Sequence, residues 1–465
     1  MQGFCYHGTA VAIWLLLACM AVLPQAHGHT FSGSGIDASF ETRLRAESLV
    51  GQFRKDTEGS DQLLLIRSLA SLRKQRNSYA FNVELQDSRG YYGDAGTPLS
   101  SSFVNPLDVL QSYVIRTDLP GLLGNESASE LKLGRQTVSI GSKRQIERVN
   151  FANVVKSYTG AHFRSYTPRG DELHVLRVSP IKRKPGTSQG LLDNDLAADE
   201  EQWRRRIWAL HYRRADAFPR VAANFWGEVF IYGLAEDDTT TYATLGRSLR
   251  TGGFRLYRKP AVGEWDLDLE SAWRWGQRRL GGADVAQPNA PLDVNAWMTV
   301  LMLGHTFAIA NQPRLALEYY FASGDEDPLD KTYGQYERLF GARRTDLNNT
   351  SIYGPLTPAN LSAPALRLDM RFGEQADLRI KYTRASLASA SDSWVIAKLR
   401  DPTGRSGSFI GHAIDTRWRF RPALGGLDFE AGISALLFGN FARNVPAGPV
   451  GKRSVFSYMQ VSYRH

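Results

Sequence analysis

Cysteine is almost missing from this chain. Among 465 residues there are 2, Cys5 and Cys19, both within the first 20 positions. If that leader is removed, the remainder can form neither a disulfide framework nor a cysteine-based metal site. Long apolar runs are lacking as well. No helical membrane span is visible after the first 25 residues, and the mean hydropathy is −0.32. Catalytic signatures are absent too: there is no GxSxG, P-loop or HExxH, and His162, His174, His211, His305 and His412 are scattered. No enzyme activity and no cofactor are expected.

What is present is basic, aromatic and glycine-rich. The chain has 56 Lys and Arg against 47 Asp and Glu, with 19 Tyr, 22 Phe, 10 Trp and 42 Gly. Such a balance suits acidic partners. It fits a membrane β-barrel, whose signal per strand is weak, and equally a large soluble β protein. Ala10 to Leu23 is an apolar run too short to span a bilayer comfortably, followed by Pro24 and small residues up to Gly28. Residues 1–28 read as a secretory signal peptide, although its start lacks Lys and Arg. A lipoprotein site at Cys19 fits less well, because the apolar run continues past it.

Strict alternation is clearest at Leu366–Thr383. Leu366, Leu368, Met370 and Phe372 alternate with Arg367, Asp369 and Arg371, and after a short break Leu378, Ile380 and Tyr382 alternate with Arg379 and Lys381. A period of two marks strands, and the short break marks a hairpin. Alone, this hairpin fits a soluble sheet as well as a barrel.

Residues 29–465 contain eighteen such segments, a total good to about two strands. They lie near 37–47, 62–75, 78–87, 108–117, 129–140, 156–166, 171–180, 203–213, 226–235, 240–251, 264–275, 294–310, 314–322, 364–374, 377–387, 410–421, 424–437 and 453–463. An even count suits a closed antiparallel barrel with both termini on one side. Odd-numbered gaps include the long 88–107, 181–202, 323–363 and 388–409, whereas even-numbered gaps include 76–77, 311–313, 375–376 and 422–423. Long loops outside and tight turns inside are the bacterial outer-membrane pattern; gaps 214–225, 236–239 and 252–263 depart from it. The expected fold is therefore all-β: a single transmembrane antiparallel β-barrel of about 18 strands.

Charge sits on one face of several segments. Arg43, Arg45 and Glu47 oppose Phe40, Thr42 and Leu44, and Asp415, Arg417 and Arg419 oppose Ile414, Trp418 and Phe420. A lipid-facing Arg near the midplane costs about 2–4 kcal/mol, so the charged face is predicted to look into the lumen. A lumen with clustered Arg and Lys attracts anions, and Arg binds carboxylates through its planar fork. Arg367, Arg371, Arg379, Lys381, Arg417 and Arg419 are the pore candidates from periodicity. Each could instead be a wall salt bridge. Asp325, Glu326, Asp327 and Asp330 form a weak Ca²⁺ candidate without the Gly and terminal Glu of an EF-hand, and a solvated loop is the plainer reading. Arg204–Arg206 and Arg213–Arg214 read as strand-end cations near lipid phosphate rather than a nucleic-acid site.

Several segments together resemble the alginate-export family of outer-membrane barrels. They are Leu131–Ile140 (LKLGRQTVSI), Glu147–Asn153 (ERVNFAN), Gly304–Phe307 with Pro313–Leu315, Tyr319–Asp330, Gln335–Arg344 (QYERLFGARR) and Gly411–Asp415. The resemblance implies an 18-stranded barrel with an arginine-rich constriction that passes a secreted anionic polysaccharide. It adds Arg135 and Arg148 to the pore candidates. It also implies a pore narrowed by loops at both ends, although the eighteen segments leave no long inner loop near the C-terminus. Outer-membrane lipid as surroundings and periplasmic synthesis proteins as partners are implied as well. The expected function is passive export of alginate or a related uronate polymer through an electropositive pore. The alternatives are an anion-selective or uptake porin, and a secreted soluble β protein that binds acidic glycans.

Overall fold

A computed structural model describes residues 35–465, except 220–223, 240–243, 281–289, 328 and 424. The expected signal peptide, residues 1–28, and both cysteines lie outside the described residues. Eighteen long strands run β1 Ile36–Val50, β2 Ser60–Arg76, β3 Tyr79–Tyr91, β4 Asn105–Pro120, β5 Ala128–Gln136 and β6 Tyr158–Tyr166. Next come β7 Glu172–Lys182, β8 Arg205–Arg214, β9 Phe225–Glu236, β10 Ser248–Arg258, β11 Trp265–Arg279 and β12 Pro291–Thr306. The last six are β13 Arg314–Ala322, β14 Leu361–Phe372, β15 Ala376–Ser386, β16 Phe409–Phe420, β17 Leu427–Phe438 and β18 Arg453–Arg464.

Each long strand pairs antiparallel with the next, and β18 returns to β1 with Leu44 opposite Val461 and Leu49 opposite Phe456. Closure leaves no unpaired edge, which a strand sheet inside a bilayer requires. The register is the one the alternation demands. Across β14 and β15, Leu366 faces Tyr382 and Leu368 faces Ile380, while Arg367 faces Lys381 and Asp369 faces Arg379. Leu366, Phe372, Ile380 and Tyr382 are exposed on the outer face. A one-residue slip would turn every one of these cations into lipid.

The segments expected from sequence match the strands closely, with one clear displacement. The tenth, expected at 240–251, lies at Ser248–Arg258. Gly252 and Gly253 fall in the expected gap 252–263, yet they sit mid-strand opposite Trp273 and Ala272. The Trp275 ring packs over Gly252, and the Phe230 ring and the Ser271 carbonyl crowd Gly253. The missing side-chain volume is filled by neighbouring strands. Loop sorting largely holds: even-numbered connections run down to 77–78 and 373–375, and 259–264 is shorter than the expected gap 252–263, while 215–224 stays the exception it is in sequence.

The inner face is not uniformly charged, which corrects the simple picture of greasy outside and ionic inside. Lumen-facing Leu63, Leu65, Val294, Ala296, Met298 and Val300 join one core with Ile146, Tyr336, Leu347, Ile352 and Leu356. The latter five belong to the connections 137–157 and 323–360, which fold back into the barrel. Their polar backbone must be satisfied internally, and the two loops do so partly with each other. Glu147 N–H donates to the Phe340 carbonyl at 3.3 Å and Ala342 N–H to the Lys143 carbonyl at 3.0 Å. Gly341 permits this approach, because a Cβ there would overlap the Arg144 carbonyl.

Candidate functional site

The folded-in loops leave a lumen cavity of about 570 Å³. From the wall it is lined by Arg379, Arg417 and Arg419, and from the loops by Arg54, Lys156, Arg183, Arg338, Arg343 and Arg344. Among the described residues, Glu147 is the only carboxylate in its lining. A smaller cavity of about 30 Å³ adjoins it, sharing Arg344, Arg379 and Arg417 and adding Arg367 and Lys381.

Wall and loop cations differ in how they are held. Arg419 lies 3.0 Å from Asp377 and Arg417 3.4 Å from the same carboxylate. Arg379 bonds Asp369 at 2.8 Å, Arg367 reaches Asp369 and Glu318, and Lys381 is paired with Glu318. The loop cations mostly rest on backbone oxygens. Arg343 donates to the Gly354 carbonyl at 2.9 Å, Arg54 to Tyr353 at 2.8 Å and Lys156 to Phe340 at 3.2 Å. Arg183 donates to the Val154 carbonyl at 3.2 Å and Arg338 to that of Gly341 at 3.3 Å. Among the described residues, no carboxylate stands within ion-pair distance of these five. A carbonyl satisfies a donor without cancelling its charge, so the loops carry the uncompensated positive potential.

Proton affinities follow that arrangement. Burial, reinforced by Arg338 and Arg54, pushes the Arg343 guanidinium down to about 9. Burial pushes Arg54 down to about 10, and lowers Lys156 well below the usual lysine range with help from Arg338 and Arg183. Guanidinium remains charged at neutral pH, so the arginine shifts mark charge held against desolvation, whereas burial opposes the charged form of the Lys156 amine. At Glu147, burial raises the carboxyl against the pull of Lys143 and Lys156. Arg344 moves the other way: burial lowers it, but Tyr458 and Glu430 outweigh the burial.

Of the residues singled out from sequence, Arg379, Arg417 and Arg419 line the large cavity, and Arg367 and Lys381 line the small one. Arg371 is exposed at the inner end of β14, opposite Asp377 in register. Arg135 and Arg148 line neither cavity. Arg135 bonds Asp199 at 2.8 Å and so fastens the 183–204 connection to the wall, and Arg148 bonds Glu84 at 3.0 Å. Arg54, Lys156, Arg183, Arg338, Arg343 and Arg344 were missed. Apart from Lys156, which opens the expected segment 156–166 but precedes the strand that starts at Tyr158, they lie outside alternating segments, where periodicity has nothing to say. The QYERLFGARR stretch, which carries three of them, was the available signal.

The acidic cluster at 325–330 does not converge. Asp325 is buried rather than solvated, and it accepts from Gly334 N–H at 3.2 Å. Asp327 and Asp330 accept from the backbone of Leu329 and Thr332. Among the described residues no group of three or more His, Cys, Asp or Glu is arranged to hold a metal. Arg205 and Arg213 turn inward to Glu236 and Glu172, not to the lipid, while Arg206 pairs with Asp237.

A closed 18-strand barrel with a lipid-facing apolar band and a cation-lined lumen is a bacterial outer-membrane β-barrel channel. Residues 36–455 match the alginate export family, and the chain belongs to it. No curated protein sequence matches it. Among solved structures it is similar to Pseudomonas aeruginosa OccK2 (OpdF) in complex with glucuronate. The identity is 13%, the TM-score 0.55, and the match covers 94% of this chain and 99% of that one. A BenF-like porin from Pseudomonas fluorescens Pf-5 is similar at 13% identity and TM-score 0.58, covering 92% of this chain and 98% of that one. These likenesses establish the fold.

Proposed function

We propose that the barrel exports an anionic exopolysaccharide, alginate or a related uronate polymer, by passive diffusion through an electropositive constriction. The observation that carries this reading is the cavity lining. Among the described residues it sets nine cations against one carboxylate, with five of the cations bonded only to uncharged groups. Low-dielectric walls focus such a field and concentrate anions. The wall carboxylates Asp369 and Asp377 moderate it. Conduction needs binding weak enough to release, and alternating charge prevents a polyanion from being trapped. Periplasmic synthesis and export proteins would supply cargo and direction, and the channel itself performs no catalytic step. Arg379, Arg417 and Arg419 on the wall, with the loop cations opposite, are the assigned contact residues. In planar bilayers the protein is expected to conduct with anion preference, and uronate oligomers should reduce the current. A cation-preferring channel would remove this pore chemistry.

One observation favours a second reading, an anion-selective uptake porin. The cavity volume of about 570 Å³ falls within the roughly 300–1,000 Å³ of small-ligand clefts, and the structurally similar OccK2 (OpdF) is in complex with glucuronate. Polymer secretion separates the two. A deletion strain that still secretes its polysaccharide and loses uptake of a small uronate would favour the porin.

A further inference from the structure

Three arginines of the wall grip one short piece of the 137–157 connection. Arg43 and Arg67 face each other across β1 and β2. Arg43 donates to the carbonyls of Asn150 and Ala152, both at 2.9 Å. Arg67 donates to the same two carbonyls at 2.8 and 3.0 Å. Arg45, one pleat on, donates to the carbonyl between them, Phe151, at 2.7 Å. All three arginines are buried, with relative exposures of 3, 1 and 3% for Arg43, Arg45 and Arg67. Three guanidiniums this close repel one another, and they are desolvated. Glu41 and Glu47 neutralise Arg67 and Arg45; the aligned carbonyl dipoles offset the remainder.

The loop is shaped to present those carbonyls. Val149, a β-branched residue, is held at φ +58°, where such residues are strained. Asn153 closes the segment by donating to the carbonyls of Ile66, Arg89 and Phe103 at 3.1, 3.2 and 2.8 Å. The Phe151 ring is stacked by Arg45 at 4.2 Å and by Arg344 of the other loop at 3.5 Å. Val149 to Val154 form one side of the large cavity. The clamp therefore sets where that side stands.

We propose that Arg43, Arg45 and Arg67 are positioning residues that fix the 147–153 segment as a permanent constriction, rather than a lid that opens. They do not contact the permeating solute. Their terminal guanidinium nitrogens are engaged by the loop carbonyls, with Glu41, Asn153 and Ser351 taking further bonds. The inference rests on the chain being a channel, not on which anion it passes.

The test is single-channel recording on the full-length barrel in planar bilayers, with heat-modifiable gel migration reporting an intact barrel. Wild type is expected to show one stable conductance level. The double variant Arg43→Ala/Arg67→Ala should show higher conductance, added current noise and a reversal potential shifted toward zero selectivity. Arg43→Lys/Arg67→Lys keeps both charges but loses the two-pronged grip, and should give intermediate noise with anion preference retained. Unchanged conductance and noise in the alanine double variant would overturn the assignment, as would wild-type switching between two long-lived levels. If the alanine variant does not assemble, the lysine pair is read alone, and wild-type noise there overturns the assignment. A wild-type protein that conducts nothing would instead remove the channel reading beneath it.

Discussion

Arg343 donates to the carbonyl of Gly354 at 2.9 Å, and that is the bond that holds it in the lumen. No carboxylate among the described residues neutralises it, and burial pushes it down to about 9. Its charge is therefore available to a passing anion. Arg343→Ala should lower the anion-to-cation permeability ratio, measured as a reversal potential across a salt gradient, with barrel assembly unaltered. An unchanged ratio would place the selective charge elsewhere.

The wall pair behaves differently. Arg417 and Arg419 share Asp377. Replacing both with Ala removes two cations and leaves that carboxylate facing the lumen without them. Anion preference should fall further than with Arg343→Ala, and the barrel should still fold, because neither side chain faces lipid. Wild-type selectivity in this variant would mean that the two arginines do not line the constriction.

Glu147 gives the channel a pH dependence with a definite sign. Burial raises its carboxyl above the ordinary range. As pH falls through that raised value the carboxylate gains a proton, and the only negative side chain among the described lining residues is lost. Anion preference should therefore increase on acidification. Glu147→Gln should show the enhanced preference at neutral pH and a flatter pH profile. A variant that keeps the wild-type pH profile would assign the titration to another group.

The outer face is tested by stability. Ile380 is exposed on the lipid side, across from Leu368. Ile380→Arg should destabilise the folded barrel by about 2–4 kcal/mol if this position lies near the midplane, measured by urea unfolding in vesicles. A loss below about 1 kcal/mol would put the residue near the interface instead.

Arg135→Ala should act on the exterior. It frees Asp199, which also accepts from Asn105 and Lys184. Faster proteolysis within 183–204, with nearly unaltered conductance, is the expected outcome. A large conductance change would give Arg135 a part in permeation.

The sequence by itself determined the barrel wall. A period of two is a local property: Leu366, Leu368, Arg379 and Arg417 each declare their face through their neighbours, and the penalty for charge in lipid decides which face is outward. Strand number, loop sorting and closure follow from repeating that rule. Where the pattern failed, as at Gly252–Gly253, packing from adjacent strands had replaced the missing side chains. Only tertiary structure decided the lumen. Arg54, Arg183 and Arg343 have no period to betray them, and they meet because distant loops fold inward onto Leu65, Val294 and Met298. Whether a given arginine offers its charge to a solute, as Arg343 does, or directs it to Asp377 or to the Asn150 carbonyl, depends on partners far apart in the chain. No local pattern encodes that distance.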